Sequence, residues 1–223
     1  MPTLLLDAGT GIRKVTPLLD GRPFCGTILL THLHWDHVQG LPFFGGGDRE
    51  DARVKLLLPT QHAPGRDDRK RADGEEAESV LAEMMSPPHF PIRPRALRGA
   101  WTFGTVDPGQ LELHDNDPET GRDGQQCGPS GQRFSVDIAE VPHKGGRTFG
   151  YRVDDGHSVL TYIFGHCAAD YAVELGRRAR VGRVLLFHHR PDRTDEALDG
   201  LARRFAGASV HVAVAAEGSV LEL

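Results

Sequence analysis

The chain contains very little cysteine. Its 223 residues include only Cys25, Cys127 and Cys167, which are widely spaced and form no Cys-x-x-Cys pair. A structural zinc site built on clustered thiolates is therefore excluded. An odd number of scattered cysteines is typical of free thiols in a reducing compartment, so we expect a cytoplasmic protein.

Long apolar runs and a strong charge imbalance are also missing. No apolar stretch approaches membrane-spanning length, and segment 1–7 lacks the basic start and long apolar region of a signal peptide. The formal net charge of −5 gives no indication of nucleic-acid binding, and no membrane partner is expected. With 39% hydrophobic residues the chain can bury one sizeable core, which predicts a single domain over 1–223.

Apolar segments bounded by glycine, proline and aspartate alternate with amphipathic ones. This alternation predicts an α/β fold whose sheet faces are covered by helices. The turn signal at 154–156 predicts a hairpin, and Thr194 is expected to cap the last helix. The predicted helices lie near 74–85, 168–180 and 194–206, and the predicted strands near 3–7, 26–31, 53–58, 134–141, 148–153, 158–163, 183–188, 209–214 and 219–222.

One short segment carries an unusual concentration of metal-binding side chains. His32, His34, Asp36 and His37 lie within six residues, directly after the apolar run 26–30. In extended backbone His32 and His34 project to the same side, and Asp36 and His37 turn back toward them as a helix begins. Imidazole nitrogen and carboxylate oxygen are ligands that suit zinc. The segment therefore predicts a metal site of the catalytic type.

The spacing His-x-His-x-Asp-His resembles the signature of the metallo-β-lactamase superfamily. Segment 4–11 resembles the strand and turn that precede this signature in phosphodiesterase-like and ribonuclease Z-like members. Segments 141–143 and 185–195 resemble those that supply the later metal histidines. The resemblance implies a four-layer αββα sandwich.

The resemblance also implies two metal positions and one or two Zn²⁺ ions, with manganese or iron as alternatives. The first position would be held by His32, His34 and His143, and the second by Asp36, His37 and His188.

Two further assignments near this site leave alternatives open. His189 competes with its neighbour His188 for the role of ligand, and the place of His188 in the motif favours His188. Asp7 either orients a ligating imidazole or is an ordinary turn aspartate that satisfies the Gly-Thr-Gly backbone after it.

The function that follows is a zinc-dependent hydrolase that cleaves a small-molecule or nucleotide phosphodiester by attack of metal-bound hydroxide. Lys144 and Arg147 either hold a phosphate oxygen or are solvated charges at a strand end. Relatives often form homodimers. The alternatives are a thioester or lactam hydrolase on the same fold, and a metal-binding pseudoenzyme with weak or no catalysis.

The chain departs from the family pattern at Ile163–Phe164. The aspartate that normally bridges both ions is missing, which we interpret as an internal deletion at this junction, so that part of the sandwich is lost. The N-terminus is also shorter than in relatives. Asp36 and His166 are the expected catalytic residues, although His166 has lost its acidic partner. We expect the vacated space to be open or filled by His166, with Cys167 as a softer competitor.

Overall fold

The computed structural model describes residues 1–61, 73–114, 132–143, 145–164, 169–190 and 192–221. The chain divides into two compact units, Met1–Gly165 and His166–Glu222. Each unit has its own sheets and helices. The prediction of a single domain over 1–223 stays a prediction.

A parallel four-stranded sheet forms the first half of the first unit. Its strands run in the order β1-β2-β3-β4, so the carboxyl ends of β1 and β2 lie at one edge of the sheet. All five residues of β2 are buried, as expected for a strand covered on both faces. The elements are β1 (Leu4–Leu6), a 3-10 helix (Thr10–Leu19), β2 (Cys25–Leu29), α1 (Trp35–Val38), β3 (Arg53–Pro59), α2 (Asp73–Ala82) and β4 (Ala100–Val106).

An antiparallel four-stranded sheet forms the second half of this unit. Its strands are β5 (Gly109–His114), β6 (Arg133–Glu140), β7 (Phe149–Asp154) and β8 (Val159–Tyr162), paired in that order. The predicted hairpin joins β7 to β8, where Gly156 has a positive φ of 86° and its N–H donates to the Asp154 carboxylate.

The two sheets of the first unit share a core. Leu29 and Leu57 from the parallel sheet cluster with Val136 and Tyr151 from the antiparallel sheet, and all four are buried. The opposite face of the parallel sheet packs against α2 and the 3-10 helix, through side chains that include Ile28, Leu56, Ala77 and Leu81. Neighbouring β2 residues therefore face different layers, because successive strand side chains alternate in direction.

The second unit contains a parallel pair of strands and two helices. Its elements are α3 (Ala169–Arg178), β9 (Arg183–Leu186), α4 (Asp195–Arg204) and β10 (His211–Val214), with β9 paired to β10. The Thr194 side chain accepts a hydrogen bond from the Ala197 N–H and caps α4, as predicted.

The α/β class is confirmed, and several element predictions differ from the structure. β4, β5 and the 3-10 helix were not predicted, because their apolar residues are interrupted by glycine, proline or polar side chains. The predicted strand near 219–222 is wrong, since residues 219–221 form no strand. Among the described residues, no helix is both long and apolar enough to cross a membrane.

The prediction of free thiols fails at the first cysteine. Cys25, at the start of β2, is buried and disulfide-bonded. Cys127 and Cys167 lie outside the described residues. Cysteine usage therefore no longer supports a reducing compartment, and the cytoplasmic location stays a prediction without that argument.

Candidate metal centre

The turn after β1 packs directly on the segment that carries the metal motif. Asp7 adopts a left-handed backbone with φ of 62°, and the next N–H, from Ala8, donates to the His37 carbonyl at 2.7 Å. A Cβ on Gly9 would lie 2.2 Å from the Asp36 carbonyl oxygen, so only glycine allows this approach. The 4–11 segment therefore holds α1 in place through its backbone.

Three histidines converge beyond the carboxyl end of β2. The ring nitrogens of His32, His34 and His143 that can act as ligands lie within 4.8 Å of one another. His32 is buried, with 2% exposure, whereas His34 and His143 are half-buried. His143 follows β6 in the antiparallel sheet, so both sheets contribute to this group.

Hydrogen bonds orient the first two rings. His32 Nδ1 lies 3.0 Å from the Thr31 hydroxyl oxygen, and His34 Nε2 lies 3.2 Å from the Gly145 carbonyl oxygen. The carbonyl can only accept, so His34 carries its proton on Nε2 and directs a lone pair on Nδ1 toward His143. Ligating histidines commonly use this pattern, in which one nitrogen donates to an oxygen and the other faces the metal.

The donor set fits a zinc ion. Nε2 of His143 lies 3.3 Å from Nδ1 of His34. Two nitrogens bound tetrahedrally to zinc at about 2.0–2.1 Å would lie about 3.3–3.4 Å apart. Three imidazoles also match the three protein ligands of many catalytic zinc sites, which leave a fourth position for water or substrate.

Asp36 and His37 lie beside this group. His37 is buried, and its Nδ1 donates to Asp7 Oδ2 at 2.8 Å while its Nε2 lies 3.3 Å from Asp36 Oδ2. The centres of the His32 and His37 rings are 4.0 Å apart. Of the two alternatives for Asp7, the contact with an imidazole is the one that the structure contains.

Two residues that the sequence analysis missed complete the surroundings of Asp7. Thr31 donates from both its backbone N–H and its hydroxyl, and the Tyr162 hydroxyl donates to Asp7 Oδ2 at 3.2 Å. Two signals in the sequence could have revealed these contacts. Thr31 is a polar residue directly after an apolar strand, and Tyr162 is a tyrosine in a predicted strand. A buried hydroxyl usually requires a hydrogen-bond partner.

An aromatic ring closes one side of the histidine group. Phe164 is 5% exposed, and its ring centre lies 4.2 Å from that of His37 and 5.7 Å from that of His32. Burial, followed by the neighbouring imidazoles, lowers the pKa of His32 to about 3. His32 is therefore neutral at physiological pH, the form that binds a metal. We had expected this junction to be open or filled by His166, and the Phe164 ring beside His37 was not expected. His166 lies outside the described residues.

The predicted phosphate-binding residues have different outcomes. The Arg147 guanidinium donates to the Asp107 and Glu140 carboxylates and to the Thr60 carbonyl, and it lies 4.9 Å from the Phe149 ring centre. These contacts favour a structural role over the predicted substrate contact. Lys144 lies outside the described residues.

The second unit supplies the remaining candidates. His188 is exposed, has a positive φ of 57° and follows β9 closely. His189 Nε2 lies 3.2 Å from the Leu186 carbonyl oxygen, which occupies one of its two nitrogens locally. The role of His188 as a ligand stays a prediction.

Comparison with known proteins identifies the fold. No protein-family model matches the chain, and no curated protein sequence matches it. The structure is similar to a diphosphatase from the PhnP family, with a TM-score of 0.55 and 16% identity over 99% of this chain and 79% of that chain. It is also similar to the metallo-β-lactamase fold protein YhfI from Bacillus subtilis, with a TM-score of 0.58 and 15% identity over 98% and 87% of the two chains. The predicted fold is confirmed, and the chain has the metallo-β-lactamase fold.

Proposed function

We propose that this protein is a metal-dependent hydrolase that binds zinc and cleaves a phosphodiester. The convergence of His32, His34 and His143 carries the proposal. Their ligand nitrogens lie within 4.8 Å of one another, and Cys25, the one cysteine among the described residues, is disulfide-bonded and so is not a thiolate ligand. An all-imidazole site with room for a fourth ligand is the arrangement of catalytic rather than structural zinc.

The ligands proposed for a second ion are Asp36, His37 and His188. In the first unit, two contacts support this role for His37 and Asp36. Asp7 accepts from His37 Nδ1 and leaves Nε2 as the ligand atom, and the Asp36 side chain is 54% exposed beside that nitrogen. An exposed carboxylate next to a buried imidazole provides one oxygen and one nitrogen as metal ligands.

The proposed substrate follows from charge and from one structural neighbour. A zinc ion lowers the pKa of bound water to about 7 and stabilises negative charge that develops on phosphate oxygens. Histidine binds a metal as the neutral imidazole, so three imidazole ligands would leave most of the ion's charge to attract an anion. The structural similarity to a diphosphatase supports a phosphate-containing substrate.

Zinc content and hydrolysis test the proposal together. Purified without chelator, the protein should contain one to two zinc ions per chain and hydrolyse bis(p-nitrophenyl) phosphate. His32→Ala should abolish both tight zinc binding and hydrolysis. His157→Ala is the matched control, because His157 is exposed in the β7–β8 turn and should leave both unchanged.

Three results would contradict the proposal in different ways. Full zinc content in His32→Ala would refute the metal site. Hydrolysis of lactams or thioesters without phosphodiester cleavage would assign another substrate class. Complete inactivity of a zinc-loaded sample toward all three would indicate the metal-binding pseudoenzyme.

A further inference from the structure

Asp7 is the centre of a buried hydrogen-bond network that reaches two histidines. Its side chain is 7% exposed, and its two oxygens accept from Thr31, His37 and Tyr162. These partners come from separate parts of the fold. Thr31 follows β2, His37 lies in α1, and Tyr162 ends β8 in the antiparallel sheet.

The direction of each hydrogen bond follows from what each group can donate. A carboxylate accepts only, so the single hydroxyl proton of Thr31 points to Asp7, 2.9 Å away. The Thr31 oxygen then has only lone pairs left for His32 Nδ1 at 3.0 Å. His32 must therefore carry its proton on Nδ1, which leaves Nε2 as its ligand atom.

His37 has the same proton arrangement for a direct reason. Its Nδ1 donates to Asp7 Oδ2 at 2.8 Å, so in the neutral ring the lone pair lies on Nε2, the nitrogen 3.3 Å from Asp36 Oδ2. One carboxylate thus determines the tautomer of both buried imidazoles, directly for His37 and through Thr31 for His32. The Tyr162 hydroxyl donates to the same Asp7 oxygen as His37 and restrains its position.

We infer that Thr31 and Tyr162 are positioning residues for the metal centre, acting through the Asp7 carboxylate on the tautomers and ring orientations of His32 and His37. The inference rests on the proposed metal-dependent function. It assigns unequal tasks to the two hydroxyls. Thr31 lies between Asp7 and His32, whereas Tyr162 reaches the histidines through Asp7, so the loss of Thr31 should have the larger effect.

Four variants separate this role from a general loss of packing. Thr31→Val removes the hydroxyl at nearly constant volume, Thr31→Ser restores it, and Tyr162→Phe removes only the phenol oxygen. Thr148→Val is the matched control. Thr148 is 1% exposed, and its hydroxyl has no hydrogen-bond partner among the described residues.

The first measurement is the histidine tautomer in metal-free, ¹⁵N-labelled protein by long-range ¹H–¹⁵N correlation NMR. His32 should be the Nδ1–H tautomer in the wild type, in Thr31→Ser and in Thr148→Val. In Thr31→Val it should become a mixture. This measurement requires no zinc, so its outcome is independent of whether the proposed function is correct.

The second measurement is zinc affinity by competition with a chelating dye. Thr31→Val should weaken binding about 10- to 100-fold, as for other groups that orient metal ligands. Tyr162→Phe should weaken it about two- to tenfold, the effect of one hydrogen bond. Thr31→Ser and Thr148→Val should bind as the wild type does.

The outcomes distinguish the two proposals. An unchanged His32 tautomer in folded Thr31→Val, or an equal loss in Thr148→Val, would overturn the positioning role. If Thr31→Val does not fold, a mixed His32 tautomer in Thr31→Ser would overturn the positioning role. Unchanged zinc affinity in Tyr162→Phe would also overturn it. Failure of the wild type to bind zinc, with the tautomer as expected, would overturn the proposed function alone.

Discussion

Asp7 Oδ2 lies 2.8 Å from His37 Nδ1, although 30 residues separate the two in sequence. The same turn also donates the Ala8 N–H to the His37 carbonyl. The side chain of this turn therefore binds the His37 ring, and its backbone binds the His37 carbonyl. This pairing makes the β1 turn part of the proposed metal centre and underlies the first two predictions below.

Replacement of Asp7 by asparagine should weaken zinc binding about 10- to 100-fold. Asparagine keeps the size of the side chain and tolerates the left-handed backbone, but its neutral amide cannot accept from all four donor groups at once. Competition titration measures the loss. Asp20→Asn is the control, because Asp20 is exposed and also left-handed, with φ of 48°. Equal zinc affinity in the two variants would show that the charge of Asp7 does not contribute to zinc binding.

Gly9→Ala should destabilise the protein by about 1–3 kcal/mol, a typical cost of overpacking. The new methyl group would meet the Asp36 carbonyl oxygen 2.2 Å away, and the turn or α1 would have to move. Gly11→Ala in the same segment has no atom within 4 Å and should be nearly neutral. Urea unfolding of the two variants side by side tests this, and similar stabilities would contradict it.

The metal-free protein should lose stability as the pH falls below about 6.5. Burial lowers the pKa of His32 to about 3, so the unfolded chain binds a proton here that the folded protein does not. Above the unfolded pKa of about 6.5 neither state binds this proton, and His32 gives the stability no pH dependence. Between that pH and pH 3, the free energy of unfolding decreases by up to about 1.4 kcal/mol for each unit that the pH falls. Urea unfolding at pH 7, 6 and 5 measures the slope. His32→Gln should reduce it, and an identical slope in that variant would assign the effect to other groups.

His188→Ala should lower the zinc content to about one ion per chain, whereas His189→Ala should leave it at the wild-type value. His189 Nε2 contacts the Leu186 carbonyl of its own segment, so the loss of this ring should have only a local effect. Elemental analysis of both variants, purified in parallel, provides the comparison. The opposite result would assign the ligand role to His189.

Much of the proposed metal centre could be predicted because four of its candidate ligands are close in sequence. His32, His34, Asp36 and His37 are contiguous with one strand end, and strand periodicity places the first two on one side. The strand before the motif, β2, and its neighbour in the sheet, β3, have continuous apolar runs, which made both recognisable. β4 and β5 lack such runs, and they form strands because their neighbours in the two sheets offer hydrogen bonds and buried faces.

Sequence alone determined the kinds of candidate ligand in this protein, and tertiary structure decided their arrangement. His143 reaches His34 across 109 residues, and Tyr162 reaches Asp7 across 155. Residue types and local spacing carry no information about such distances, because these distances depend on how the two sheets pack on a shared core. The same packing places the Phe164 ring against His37 and lowers the pKa of His32. Burial and hydrogen-bond direction, which set the properties of these histidines, exist only in the folded chain.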